Sequence, residues 1–289
     1  MKHRSPLLTA ALALACTRQP DPAIARETAR KATEHAVEGG ASIERLATGL
    51  VEVSAKAARE LGAAMTAPVD VNRVRNRVRI DLHDDRTEVG RELTMYPTWF
   101  LAAVGTNGQG IAGDREPERD FIPGKNLSAA FPCVAAALQG TGGRCVGELA
   151  SGAGLAPRVY LVAAAPTTGA DGVVNGAFVA AVNFSRLAKA VRETLNLSTA
   201  RERVQLHVGF LRNGRVLPSG PDNDVAQAYL IPDGFLRRIP AGIEARARTA
   251  PATFTFDENG GAMQWGAAVA PVAALDGAEI IVFRAPLRQ

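Results

Sequence analysis

From Pro22 to about Met65, apolar residues return every three or four positions. Ile43, Leu46, Leu50, Val53 and Ala57 fall on one helical face. The pattern predicts a helix-rich segment interrupted at Gly39-Gly40. The series is too short for a coiled-coil seam, so the face is expected to pack on the rest of the protein, with a dimer stalk as the alternative. Pro68 interrupts, and Val71, Val74 and Val78 open a second helical stretch that runs to about Leu93 and stops at Pro97. From Thr98 the period changes. Thr98 to Gly105 is a strand, Asn107-Gly108 a hairpin turn, and a short second strand and a polar loop reach Gly124. Leu127 to Leu138 reads as helix, Gln139 to Gly143 as turn and Val159 to Ala165 as strand. Pro166 to Gly172 is a turn, Val173 to Asn183 a strand, and Phe184 to Leu195 a helix.

The remainder repeats the plan. Val204 to Leu211 is a strand, Asn213-Gly214 a turn, and Arg215 to Leu217 the return strand. A helix near 235–247 precedes strands at about 252–257, 262–270 and 277–284, with a hairpin turn at Glu258-Asn259-Gly260-Gly261. The fold class is therefore α+β: a long N-terminal helical segment over 22–95, then two antiparallel-sheet modules over 96–198 and 199–289.

The start of the chain adds an address. Met1-Lys2-His3-Arg4 is basic, and Pro6 to Ala15 is nearly all apolar but too short to span a bilayer. Residues 1–15 read as a signal peptide. Leu12-Ala13-Leu14-Ala15-Cys16 resembles a bacterial lipobox, which implies a lipidated Cys16, a tether over 16–21 and a membrane partner through the anchor. Ala13-Leu14-Ala15 also fits an ordinary signal-peptidase site. The absence of aspartate after Cys16 leans the lipobox resemblance toward the outer membrane, hence a cell-envelope location. Export leaves Cys133 and Cys145 as an even pair in an oxidising compartment. A disulfide there would contribute about 3 kcal/mol in the chain-entropy model; two free buried thiols are the other reading.

Composition narrows the chemistry. With 47% apolar and 21% charged residues, the 289-residue chain buries a real core. Net charge is +4, with 33 basic against 29 acidic residues, too small and scattered an excess for a nucleic-acid surface. Arginine supplies 28 of the 33 basic residues, which reads as codon usage rather than recognition. Gly108-x-Gly110-x-x-Gly113 fits a dinucleotide motif in the wrong context, a hairpin turn. His3, His35, His83 and His207 share no metal-ligand spacing; His35 and His83 read as solvated, His207 as a surface or pocket residue. The Arg73, Arg75, Arg77 and Arg79 run reads as a solvated face. No nucleophile elbow occurs. The expectation is a non-enzyme with no metal, cofactor or catalytic residue.

Phe100 to Gly140 resembles the Cache family of extracytoplasmic PAS-like sensor domains. The strand FLAAVGTNGQGIAG carries the likeness, with Asp114, Asp120, Gly124-Lys125-Asn126-Leu127 and FPCVAAALQG. YLVAAAPTTGADGVVNGAFVAAVNFSRLAKAV resembles the closing strands and exit helix. With the weaker likeness over 203–287, this implies a double-Cache arrangement. It also implies a pocket for a small ligand of the amino acid, amine or carboxylate class. Arg158 would meet a carboxylate by its planar fork, Tyr160 offers a ring and a hydroxyl, and Asp114 and Asp120 would meet an ammonium. The chain is expected to lack an output domain. The alternative is a ligand-free lipoprotein docking to an envelope partner through the 41–66 helix.

Overall fold

The computed structural model describes residues 21–286 except 67, 153, 200–201, 218, 221–230 and 259–260. Residues 1–15, Cys16 and most of the tether thus lie outside the described residues. Helix α1 (Pro22–Gly62) starts as its sequence dictates: the Asp21 carboxylate accepts from Ala23 N at 2.8 Å, and Pro22 occupies the first turn. It then runs unbroken for 41 residues, so the expected interruption at Gly39-Gly40 is corrected. Both glycines are buried. A Cβ on Gly39 would stand 2.6 Å from Ile280 Cδ1 and 3.0 Å from Val191 Cγ1. The missing side chains let the helix approach what lies beneath it, and packing outweighs the propensity cost of about 1 kcal/mol per glycine.

The first sheet has the order β2-β1-β5-β4-β3, from β1 (Phe100–Gly105), β2 (Gly110–Gly113), β3 (Gly143–Leu149), β4 (Arg158–Thr168) and β5 (Val174–Asn183). The second has the order β10-β11-β12-β6-β7, from β6 (Val204–Arg212), β7 (Arg215–Leu217), β10 (Ala252–Glu258), β11 (Gly261–Pro271) and β12 (Glu279–Pro286). All pairings in both are antiparallel. Short β8 (Ser219–Gly220) and β9 (Ile231–Pro232) pair in parallel beside them.

The helical connections are more broken than the periodicity suggests. The stretch after Pro68 is α2 (Val71–Arg79), a 3-10 turn at Asp81–His83 and α3 (Glu88–Thr94). Pro132 divides the next into α4 (Leu127–Ala130) and α5 (Pro132–Leu138), and α6 (Phe184–Ser198) follows β5 directly. Pro240 falls between α7 (Asp233–Arg238) and α8 (Ile243–Thr249). Strand β4 extends through Pro166 instead of turning there. Gly143 of β3 pairs with Ala164, so β3 ends before Pro166 and claims no N–H from it.

Alternation divides each sheet into two faces. Leu101, Ala103, Phe178 and Val182 of the first sheet and Val208, Phe210, Ile280 and Val282 of the second join α1 in one continuous core. The opposite faces carry separate cores. Phe100, Tyr160, Val162, Val179 and Phe131 form one under α4 and α5. Phe235, Phe254, Trp265 and Phe283 form the other under α7 and α8. The two sheets also meet directly. The Asp276 carboxylate accepts from Val146 N of edge strand β3 at 2.6 Å, and Glu44 of α1 accepts from Ala274 N at 2.8 Å.

Two histidines depart from the sequence expectation. His35 is buried on α1, and His207 is buried on β6 rather than at the surface. The His207 ring stacks on Trp265 at 5.4 Å and lies 4.5 Å from Phe235. Burial, with smaller contributions from the Arg192 and Arg238 charges, pushes its pKa down from 6.5 to about 4. The unfolded chain therefore binds the extra proton first. The stabilisation is full above pH 6.5 and is lost as pH falls toward 4, to a total of about 3 kcal/mol. Urea midpoints measured from pH 7 to pH 4 are expected to fall more steeply for the native chain than for His207→Phe; equal slopes would refute a buried neutral His207.

Candidate functional site

The open end of the first sheet, where β1 and β4 begin and β5 ends, gathers an unusual set of side chains. Trp99 immediately precedes β1, and its N–H donates to Ala181 O at 2.6 Å. The guanidiniums of Arg115, Arg158 and Arg186 each lie 5.1 Å from its ring centroid. Each comes from a different segment: a strand, a loop and a helix. Arg158 is the first residue of β4. Arg115 follows β2, lies 5.3 Å from the Phe121 ring and donates to Trp99 O at 3.3 Å. Arg186 sits in the first turn of α6, where the Asn183 side chain caps the helix by accepting from Arg186 N at 2.8 Å. Its guanidinium donates to Thr98 O.

Beneath this group lies an aromatic floor. Phe100 meets Tyr160 at 5.5 Å and Phe121 at 5.6 Å, and Phe131 meets Tyr160 at 6.3 Å, all edge-on. The sheet register sets Tyr160 opposite Asn183, so both side chains rise from the same face. Both residues are buried, and among the described residues neither Tyr160 Oη nor Asn183 Nδ2 has a hydrogen-bond partner. The same holds for Trp99 Nε1. Native interiors leave few such groups, and each costs about 1–3 kcal/mol. All three can donate.

The electrostatics place the same groups together. Burial raises the Tyr160 pKa, while the charges of Arg158 and then Arg115 pull it back. Arg186 is exposed as a residue, yet its guanidinium is pressed against Trp99. That burial, and then the Arg115 charge, lower its pKa; Asp114 acts in the opposite sense. Arg158 has no hydrogen bond or ion pair of its own among the described residues, whereas Asp114 has interactions already.

Of the residues singled out in the sequence, Arg158 and Tyr160 meet in this cluster, and Asp114 stands within electrostatic reach of it. Asp120 does not join them. Its two oxygens accept from Gly113 N at 2.7 Å and Ile122 N at 3.1 Å, which pins the loop after β2. Trp99, Arg115, Arg186 and Asn183 were not among the expected residues. The signal for Arg186 was local: a strand ending in Asn183 and followed by a helix is a capping pattern. The disulfide Cys133–Cys145 is present, with Cα atoms 5.5 Å apart, and ties α5 to β3 within the same core. Gly108 lies in the turn before β2 with positive φ, and Gly110 and Gly113 begin and end β2, so the motif spans a hairpin as its context predicted. Arginines of α2 are drawn into pairs: Arg77 with Asp81 and Glu60, Arg79 with Glu116. Among the described residues, no helix is long and apolar enough to cross a membrane.

No family model matches the chain, and no curated protein matches it in sequence. Solved structures do resemble it. The extracellular domain of a protein assigned as a histidine kinase, vpHK1S-Z8, aligns at a TM-score of 0.56 and 12% identity, over 91% of this chain and 93% of that one. The ligand-binding domain of the Campylobacter jejuni chemoreceptor Tlp3, in complex with L-valine, aligns at 0.53 and 10% identity, over 91% and 96%. An extracellular ligand binding receptor from Desulfohalobium retbaense aligns at 0.49 and 12% identity over 88% of this chain, which spans only 39% of that receptor. The chain shares its fold with the Tlp3 and vpHK1S-Z8 domains. Its particular form is the double-Cache-like arrangement, a long helix backing two five-stranded antiparallel sheets.

The buried Tyr160 hydroxyl gives a direct check on the site. Tyr160→Phe keeps the ring packing and removes the unpartnered group, so the ligand-free protein is expected to gain about 1 kcal/mol of stability in urea. A loss of that size would show that the hydroxyl already has a partner.

Proposed function

We propose that the chain is an exported sensory domain that binds a small carboxylate-bearing ligand at the Trp99 cluster. One observation carries this reading: three guanidiniums from three separate segments converge on one tryptophan, above buried donors that have no acceptor. Arginine's planar fork suits a carboxylate, and aromatic walls suit an apolar ligand body. The fold shared with the L-valine-bound Tlp3 domain supports a small-molecule role. The ligand-dependent change would pass to other proteins or domains of the envelope.

The native address of the domain follows from its first sixteen residues. The basic start, short apolar run and lipobox-like sequence before Cys16 support cleavage and lipidation there. The folded part would then hang from a membrane surface in the cell envelope, with the outer membrane favoured.

Two measurements test these statements. The full-length chain in mild detergent, screened by tryptophan fluorescence against amino acids, amines and organic acids, should melt higher with a carboxylate ligand. At one hundred times its dissociation constant a ligand adds about 2.7 kcal/mol. That shift should vanish in Arg158→Ala; a shift that survives the substitution places the ligand elsewhere, and silence across the panel removes the ligand-binding reading. Separately, cells expressing the full chain should incorporate radiolabelled palmitate into it, and Cys16→Ser should abolish the label. Equal labelling of both, or none, would end the lipid-anchor proposal.

A further inference from the structure

We infer that the Trp99 cluster selects an organic dianion, a dicarboxylate, over a zwitterionic amino acid. This deepens the carboxylate reading above and rests on it. The argument is one of charge and donor count. Arg115, Arg158 and Arg186 bring three positive charges to one indole, and they do so from three segments, so no helix or strand periodicity explains their meeting. Nearby acids do not balance them. Asp120 is committed to two backbone N–H groups, Glu116 pairs with Arg79, and Asp114, which acts on Arg186, already has interactions of its own. Against Asp114 alone, the three guanidiniums leave a surplus of about two positive charges.

The unsatisfied groups point the same way. Tyr160 Oη, Asn183 Nδ2 and Trp99 Nε1 all offer protons and lack acceptors among the described residues. Tyr160 and Asn183 share a sheet face and are fully or almost fully buried. Such a site rewards a ligand rich in acceptor oxygens and meets an ammonium group with three like charges against the one carboxylate of Asp114. The Trp99 and Phe121 rings that flank Arg115 favour a carbon backbone between the acceptors over a bare inorganic anion. Burial first, and then the Arg115 charge, depress the Arg186 pKa, and the second of these is a like-charge contact that an anion would relieve.

The test titrates the full-length chain in detergent with succinate, L-valine and sulfate, reading Trp fluorescence and melting temperature. Succinate is expected to bind saturably, at least tenfold tighter than L-valine or sulfate, and to weaken steeply as salt rises. Arg115→Gln and Arg186→Gln should each weaken succinate at least tenfold. Each also gives up a hydrogen bond, Arg115 to Trp99 O and Arg186 to Thr98 O, so the ligand-free melting point of each variant is measured beside the titration; a variant that melts lower without ligand is replaced by Arg158→Gln, which breaks no such bond among the described residues. L-valine binding as tightly as succinate, with the response lost in Trp99→Ala, would overturn the dianion inference and leave the carboxylate site standing. Sulfate matching succinate would overturn the requirement for a carbon backbone. Succinate binding that ignores all three arginine substitutions, or no binding by any probe, would overturn the inference together with the site.

Discussion

A single stripe on α1 has to serve two sheets at once. Ala32, Ala36, Gly39, Ile43, Ala47, Leu50, Ser54, Ala57 and Leu61 recur at about 3.6 residues, all buried, so the stripe stays in line along most of the helix. Its residues change size along the way. Small side chains face the second sheet and α6, where Gly39 lies against Ile280 and Val191. Larger ones follow toward the first sheet, and the helix ends with Gly62 so close to Thr168 that a Cβ would stand 2.3 Å from its carbonyl oxygen. Two points of close backbone approach fix how far the helix sits from each sheet. A truncation such as Leu50→Ala falls in the class that costs about 2–5 kcal/mol, because rigid layers on both sides cannot close over the gap.

Because α1 occupies one face of each sheet, everything that distinguishes the modules lies on the other face. The second module fills that face with rings, including a histidine held neutral by its surroundings. The first covers its face with α4 and α5, ties the cover to edge strand β3 through Cys133–Cys145, and leaves the polar groups to one end. The modules are joined at that same edge strand. Val146 follows Cys145 and donates to Asp276 of the second module, while Glu44 of α1 meets Arg144 beside the disulfide and Ala274 beyond it. A covalent and hydrogen-bonded path thus runs from the cover of one module to the β11–β12 turn of the other.

Much of this architecture was legible in the sequence, because it depends on periodicity and turn chemistry. The long helix, the Asn107-Gly108 and Asn213-Gly214 turns and the exit helix after Asn183 all carry local signals, and so does the repeated strand plan. The failures share a cause. Gly39-Gly40 reads as a break unless a neighbouring sheet is known to need the space. Gly143 to Leu149 lacks a clear alternation, since β3 is an edge strand with glycines at 143 and 147, and Gly147 must admit the Ala130 carbonyl. Pro166 ends a strand only if a partner is present to miss its N–H. In each case a tertiary neighbour overrides a local preference. The site was less legible. Arg158 and Tyr160 lie two apart on one strand and could be paired by eye, whereas Arg115 and Arg186 are separated by 71 positions and meet only through strand order.

The contrast between the ends of the molecule is itself informative. Along α1 and within the cores, propensity, pattern and packing agree apart from single buried atoms such as His35 Nδ1 and Ser54 Oγ, and surface charges such as Arg30–Glu27 and Lys56–Glu92 pair in ordinary ways. At the end of the first sheet that agreement stops. Like charges crowd an indole, buried donors stand without acceptors, and the capping residue Asn183 has one side-chain atom satisfied and the other not. A fold stabilised elsewhere by a shared helix and a disulfide tolerates a locally unfavourable arrangement, and folds retain such arrangements where binding completes them. Asn183 also caps α6, the helix leading into the second module, so the residue with the unpartnered amide nitrogen is the one that starts the connection between modules.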